Sequence, residues 1–187
     1  MTSLILALML LTPSAEEAKR VKSQDEVMGM MRKAVRTGQA GTARKTKPVD
    51  ARPAKPGEVV VSVIAGEGEE TRSKPAEAGD WVVRNRCPET GNEQYLVKAD
   101  RFADRYGEAE GEADAEGWRT FKPRAEPVRY FLVPKSRGDF SFVAPWGEPM
   151  VARPGDAIVQ DPKNEKDIYR VAAGSFACTY EVLKAAK

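Results

Sequence analysis

Two stretches of the chain repeat one another. Residues 79–106 read GDWVVRNRCPETGNEQYLVKADRFADRY, and residues 155–180 read GDAIVQDPKNEKDIYRVAAGSFACTY. Both copies begin with Gly-Asp, continue into an apolar strand, cross a polar turn and enter a second strand. The second copy is shorter only in that turn. A unit of two strands cannot bury a core alone, so we expect the copies to pack on each other or to recruit further strands.

Each copy predicts a turn, two strands and a short helix. Gly79 and Gly155 suit a tight turn with positive φ, and the carboxylates of Asp80 and Asp156 can bond backbone N–H groups in that turn. Apolar residues spaced i, i+3, i+4 and i+7 then predict one helical face in each copy. The matched aromatic residues are expected in the core: Tyr95 with Tyr169, Phe102 with Phe176, and Tyr106 with Tyr180.

The second copy resembles a small bacterial and phage module, the PGDYG family. The resemblance lies in Arg153-Pro154-Gly155-Asp156 and in the FACTYE sequence of residues 176–181. The first copy, with Gly79-Asp80-Trp81, matches it less closely. Trp81-Val82 and Ala157-Ile158 stand where the family has Tyr-Gly. The resemblance implies no activity, because none is established for that family.

Composition limits the chemistry of the chain. The formal net charge is +2, which gives no global argument for nucleic acid or a membrane. The chain has no histidine and therefore lacks the commonest general base and metal ligand. We predict no catalytic residue set, no metal site and no cofactor. Cys87 and Cys178 are expected as two free thiols in a reducing compartment, with a disulfide as the alternative.

Residues 1–38 are predicted to form a helical arm. The apolar run LILALMLL of residues 4–11 is too short for a transmembrane helix. It predicts either a short docking helix or the core of a cleaved signal, so the expected location is the cytoplasm or an organellar interior unless the signal is real. A helix is predicted from Thr12 to about Arg36. One face of it could pack on the domain or serve a partner, and that face holds Val27, Met30, Met31, Ala34 and Val35.

Two polar segments are predicted to be linkers. Residues 39–57 are basic and rich in proline, and residues 107–127 include the acidic run GEAEGEADAEG. Neither offers enough apolar surface to offset the entropy of ordering, so both read as solvated. The basic linker could alternatively contact nucleic acid. The two repeat copies then occupy residues 58–106 and 128–187.

We therefore predict an α+β fold: a duplicated small β-rich unit, with strands and a short helix in each copy, behind an N-terminal helical arm. We expect no deep polar pocket. The predicted core contains Val61, Val63, Val82, Val97, Phe102, Tyr106, Phe131, Phe142, Ile158, Val171, Phe176 and Tyr180.

The leading functional hypothesis is a non-catalytic binding or structural subunit, anchored to another protein through residues 1–57. It follows from a repeated scaffold, an apolar arm and the lack of a recognisable catalytic set. A nucleic-acid accessory protein that uses the basic linker is the second hypothesis. The third is an enzyme whose site lies between the copies, because repeated units can form sites where they meet.

Overall fold

A computed structural model describes residues 20–187 and confirms a strand-rich α+β fold. The predicted apolar run at residues 4–11 and the helix start at Thr12 lie outside the described residues. The helices are α1 (Gln24–Arg36), α2 (Ala99–Arg105) and α3 (Ala173–Thr179). The strands are β1 (Gly41–Lys45), β2 (Val49–Pro53), β3 (Val61–Ile64), β4 (Gly68–Arg72), β5 (Trp81–Asn85), β6 (Gln94–Val97), β7 (Tyr106–Glu110), β8 (Arg119–Pro123), β9 (Pro127–Leu132), β10 (Phe140–Val143), β11 (Pro149–Ala152), β12 (Ala157–Asp161), β13 (Asn164–Val171) and β14 (Tyr180–Lys184). Within residues 20–187, no helix is long and apolar enough to cross a membrane.

Two five-stranded sheets form most of the fold. The first sheet has the strand order β6-β5-β2-β8-β7, and the second sheet has the order β13-β12-β9-β1-β14. All pairings inside these sheets are antiparallel. The hairpins β3–β4 and β10–β11 are separate two-stranded sheets.

Two strands, β1 and β8, each lie in the sheet that is built mainly by the other part of the chain. β1 leads directly into β2, yet β1 lies between β9 and β14 in the second sheet, while β2 lies in the first. Likewise β8 leads into β9 but lies between β2 and β7 in the first sheet. We call residues 41–110 the first half and residues 119–184 the second half. Each half thus contributes one strand to the sheet of the other, so each sheet is complete only when both halves are present.

The strand registers of the two sheets correspond. Val83 on β5 faces Ala51 and Tyr95, and the aligned Val159 on β12 faces Tyr130 and Tyr169. At the exchanged strands, Tyr106 faces Pro123 in the first sheet and Tyr180 faces Lys45 in the second. The positions that align in sequence therefore hold corresponding places in the two sheets.

Helix α1 is part of the core and does not project as an arm. Ser23 caps it: the Ser23 side chain accepts from the backbone N–H of Glu26, and the Glu26 carboxylate accepts from that of Ser23. The predicted helix over residues 20–23 is wrong, because Lys22 bridges to Phe142 instead. The buried face of α1 packs on one face of the second sheet and consists of Val27, Met28, Met31 and Ala34, whereas Val35 is exposed.

Both predicted linkers contain sheet strands. Residues 39–57 form β1 and β2, where Ala43, Val49 and Ala51 are fully buried. Residues 107–127 hold most of β7 and all of β8, with Phe121 buried in the core. The prediction of linkers from composition failed because a strand in a sheet needs only a few apolar residues, all on one face. Its polar residues then point to the other face.

Most of the predicted core is buried on the two sheets. Val63 was wrongly assigned, since it is 50% exposed while its neighbours Ser62 and Ile64 point inward. Half-buried positions are Val61, Val171 and Tyr180. Phe102 of α2 packs on the first sheet with Val83, Val97, Tyr106 and Phe121, and Phe176 of α3 packs on the second sheet with Tyr130 and Val159.

Cys87 and Cys178 form a disulfide, with a Cα–Cα distance of 6.2 Å. The expectation of two free thiols is therefore wrong. The bridge joins the start of a 3-10 turn, Pro88–Thr90, to the last turn of α3. The cysteines lie 91 residues apart in sequence and meet because α3 packs on this turn.

Candidate ligand-binding cleft

The Gly-Asp turn of the first half is fastened to α2. Gly79 has a φ of 90°, in the left-handed region that favours glycine. The Asp80 carboxylate accepts from the backbone N–H of Glu77 at 2.8 Å and from that of Ala99, the first residue of α2, at 3.3 Å. Lys98 Nζ donates to the same carboxylate at 2.9 Å. Asp80 therefore holds both the turn and the start of the helix.

The second Gly-Asp turn, preceded by Pro154, repeats this arrangement. The Asp156 carboxylate accepts from the backbone N–H groups of Arg153 at 2.7 Å and Ala173 at 3.0 Å. Its cationic partner is the Nε of Arg170, at 2.8 Å, which is fully buried. The polar atoms of both signature aspartates are occupied by these structural contacts.

Arg170 connects the β3–β4 hairpin to the second sheet. Besides Asp156, its guanidinium donates to Glu70 at 2.7 Å and to Glu67 at 2.5 Å. A buried charge is tolerated only when it is paired and fully hydrogen-bonded, and three carboxylates meet that need here. This cluster makes one wall of a cleft.

A cleft of about 1130 Å³ lies between the two sheets. Polar side chains from both halves line it, so the expectation of no deep polar pocket is wrong. The residues that line it include Lys45, Asn85, Glu93, Tyr95, Arg105, Tyr106, Asp167, Tyr169, Ser175 and Tyr180. The four tyrosines were predicted as core residues, and their rings do pack on the sheets. Their hydroxyl groups are the part that reaches the cleft and needs polar partners.

The tyrosines form two matched pairs. The hydroxyl oxygens of Tyr95 and Tyr106 are 3.1 Å apart, and Tyr169 and Tyr180 interact electrostatically in the same way. Burial raises the pKa of Tyr106, and it raises those of Tyr95 and Tyr180 well above the usual value. These three hydroxyls therefore stay neutral and can donate to a ligand at physiological pH.

Lys45 reaches across from the second sheet to the first. It is the last residue of the exchanged strand β1, and its Nζ donates to Asn85 Oδ1 at 2.7 Å and to the Tyr95 hydroxyl at 2.9 Å. Burial lowers the pKa of Lys45 to about 7; the charge of Arg105 lowers it further, and that of Glu93 opposes the shift. A large share of this amine is therefore uncharged near neutral pH.

Two acidic residues occupy corresponding places, and each is held by the opposite half. Glu93 and Asp167 both stand two positions before a matched tyrosine. The Glu93 carboxylate accepts from Ser175 of α3 at 2.5 Å, and Asp167 accepts from Nη2 of Arg105 at 2.8 Å. These cross-contacts fix the width of the cleft.

The hydrogen bonds of Glu93 also fix its charge. Thr90 Oγ1 donates at 2.5 Å and Asn85 Nδ2 at 2.8 Å, in addition to the bond from Ser175. Burial alone would raise the pKa of Glu93, but hydrogen bonds from Ser175, Thr90 and Asn85 outweigh it and lower the pKa. Glu93 is therefore an ionised anchor whose oxygens are committed to the protein.

Few of these groups were predictable from sequence patterns. Lys45 lies in a segment predicted as a linker, and Arg105 stands unmatched, since its aligned residue is Thr179. Glu93 and Asp167 could have been found, because they recur at the same distance before Tyr95 and Tyr169. The signature residue Trp81 serves the core, where its ring stacks on Phe102 at 4.3 Å.

The cysteines do not offer a metal site. Cys87, Glu89 and Cys178 bring their ligand atoms within 4.8 Å of one another. Both sulfur atoms are joined in the disulfide, so no thiolate is present to coordinate a cation.

No protein-family model, curated protein or solved structure matches this chain. The resemblance of residues 153–156 and 176–181 to the PGDYG family stays a prediction.

Proposed function

We propose that this protein binds a small polar organic molecule in the cleft between its two sheets. One observation carries the proposal: side chains from both halves, including both tyrosine pairs, converge on a single cleft. Lys45 from an exchanged strand and Arg105 from the end of α2 both line it. Pockets of this size that combine apolar walls with a few convergent polar groups are typical ligand sites.

We further propose that the two halves arose by duplication of one unit. The matched registers, the two Gly-Asp turns and the mutual exchange of β1 and β8 support this. The charged residues break the symmetry, because Lys45 corresponds to Pro123 and Arg105 to Thr179. A cleft with matched tyrosines and unmatched cations favours an asymmetric ligand that carries one anionic end.

A binding experiment tests this function. We would titrate isotope-labelled protein with a library of small polar organic compounds and follow the resonances of Tyr95 and Tyr169. A double substitution, Tyr95→Phe with Tyr169→Phe, is expected to weaken binding. Tyr130→Phe is the matched control, since that hydroxyl accepts from the backbone N–H of Ala186 and Tyr130 does not line the cleft. Binding that moves only resonances outside the cleft would reject the proposal.

The structure offers less support for a partner held through residues 1–57. Residues 24–36, 41–45 and 49–53 form α1, β1 and β2, whose apolar side chains are used inside the fold. Removing residues 1–57 would therefore disrupt both sheets. The assembly-subunit hypothesis stays a prediction.

The nucleic-acid hypothesis also loses support. Arg44 pairs with Glu181 at 2.8 Å, and Arg52 pairs with Glu58 at 2.6 Å. Lys45 faces the cleft. These charges of the basic segment therefore have structural partners, and a continuous phosphate-binding stripe does not form from them.

A further inference from the structure

Lys45 differs from two other lysines that line the cleft. Lys98 forms ion pairs with two carboxylates, and Lys163 forms one. The Nζ of Lys45 instead contacts two neutral acceptors, Asn85 Oδ1 and the Tyr95 hydroxyl. Among residues 20–187, it makes no salt bridge with a carboxylate. A half-buried amine with neutral partners is placed to react, whereas an ion-paired ammonium is not.

We propose that Lys45 forms an imine with a small 2-oxo acid or an aldehyde that carries a carboxylate. The inference rests on the proposed ligand-binding role of the cleft. The lone pair of Nζ attacks the carbonyl carbon, and the carbonyl oxygen takes up a proton to give a carbinolamine. Loss of that oxygen as water, with a proton from Nζ, leaves the C=N bond. The step consumes no oxidant or reductant.

Tyr95 is positioned to assist the loss of water. Its hydroxyl lies 2.9 Å from Lys45 Nζ and 3.1 Å from the Tyr106 hydroxyl. Because burial keeps both phenols protonated, Tyr95 can donate a proton to the departing oxygen and recover one through Tyr106. The two tyrosines form a short proton relay beside the amine.

Arg105 is placed to bind the carboxylate of the proposed substrate. Its guanidinium uses Nη2 to contact both oxygens of Asp167 and lies over the Tyr169 ring, 5.1 Å from the centroid. Its Nε and Nη1 make no hydrogen bond with residues 20–187. Each of these groups can donate a hydrogen bond to a substrate carboxylate, beside the positive charge of the guanidinium.

The protonation of Lys45 sets the pH dependence of imine formation. The charge on Nζ responds to the ionisable groups of every element around it, which are Glu93, Tyr95, Arg105, Tyr106 and Tyr180. Only an uncharged amine attacks, and the pKa of Lys45 is about 7. The rate should therefore rise as the pH increases through about 7 and then level off.

Reductive trapping tests the imine. The intact protein would be incubated with glyoxylate or pyruvate and sodium cyanoborohydride, and the modified lysines mapped by peptide mass spectrometry. We expect modification at Lys45 at least about tenfold faster than at Lys163, which lies at the cleft and is exposed. Lys45→Met should abolish the fast phase, and Lys135→Met, at an exposed position that does not line the cleft, should leave it unchanged. A circular dichroism spectrum checks that both variants are folded.

The outcomes separate the two proposals. The imine would be rejected if modification were slow and spread over exposed lysines. The ligand-binding proposal would still stand in that case if glyoxylate moved the Tyr95 and Tyr169 resonances. The non-carbonyl analogue glycolate should move these resonances in wild type and in Lys45→Met alike. If neither compound binds in the cleft and no other small polar compound does, both proposals fail.

Discussion

Lys45 Nζ lies 2.9 Å from the Tyr95 hydroxyl, although the two residues belong to different sheets. The contact exists because β1, which ends at Lys45, is exchanged into the second sheet while the rest of its half builds the first. The strand exchange thus has a chemical consequence: it delivers an amine from one sheet to the tyrosine pair of the other. The cleft depends on this connection.

The depressed pKa of Lys45 predicts a pH-dependent stability. Between pH 7 and the ordinary lysine value of 10.5, the unfolded chain holds a proton that the folded chain releases. Stability therefore rises with pH across this window. The unfolding free energy of wild type minus that of Lys45→Met should increase from about pH 7 to about pH 9.5 and be flat below about pH 6.

Urea titrations at several pH values measure this difference. Lys163→Met is the control, because its exposed ion pair with Glu126 raises the pKa of Lys163 and leaves it protonated throughout the window. Its difference from wild type should stay constant. A flat profile for Lys45→Met would mean that the amine is charged in the folded protein.

The two signature aspartates are predicted to contribute unequally to stability. Asp156→Ala removes two turn hydrogen bonds and one of three carboxylates around the buried Arg170, so we expect a loss of about 3 kcal/mol. Asp80→Ala loses similar turn hydrogen bonds, but the cation that it leaves unpaired, Lys98, is exposed to solvent. We therefore expect a smaller loss of unfolding free energy, about 1.5 kcal/mol.

Chemical denaturation compares these variants, with the exposed Asp100→Ala as a control that should change stability by less than about 0.5 kcal/mol. Ligand binding by the folded Asp80 and Asp156 variants should be retained. Equal losses for both variants would show that the buried pair with Arg170 adds nothing to the turn.

The disulfide is predicted to stabilise the fold strongly. Cys87 and Cys178 close a loop with a sequence separation of 91, for which the chain-entropy estimate is about 4.5 kcal/mol. Substituting both with serine should lower the urea midpoint by a corresponding amount. Dithiothreitol should lower the wild-type midpoint and leave that of the double variant unchanged. An unchanged wild-type midpoint under reduction would contradict the bridge.

The strand exchange predicts that neither half folds alone. A protease site inserted in residues 111–117, between β7 and β8, would allow cleavage of the folded chain. The two fragments should stay associated even when both cysteines are replaced, because β1 and β8 each lie inside the sheet of the other fragment.

Size-exclusion chromatography and amide exchange follow this association. Fragment 118–187 lacks β1, which separates β9 from β14, and should be unfolded by itself. A dispersed, stable spectrum from that fragment alone would contradict the observed topology.

Several elements were predictable because their signals are local. The spacing of Ala99, Phe102 and Tyr106 predicted α2, which forms over Ala99–Arg105, and the matching pattern predicted α3. The apolar strand expected after each Gly-Asp turn also formed, as β5 and as β12. The polar strands β1, β2, β7 and β8 were missed, because their pairing comes from distant segments and leaves little trace in composition.

The sequence by itself determined the Gly-Asp turn, strand and short helix of each half, because glycine conformation, side-chain hydrogen bonds to the turn and apolar periodicity act over a few residues. Only the tertiary structure decided which strands pair, and with that the exchange of β1 and β8. The disulfide and the cleft follow from that choice. Lys45 meets Tyr95, and Arg105 meets Asp167, across 50 and 62 positions of the chain, and no local pattern encodes contacts of that range.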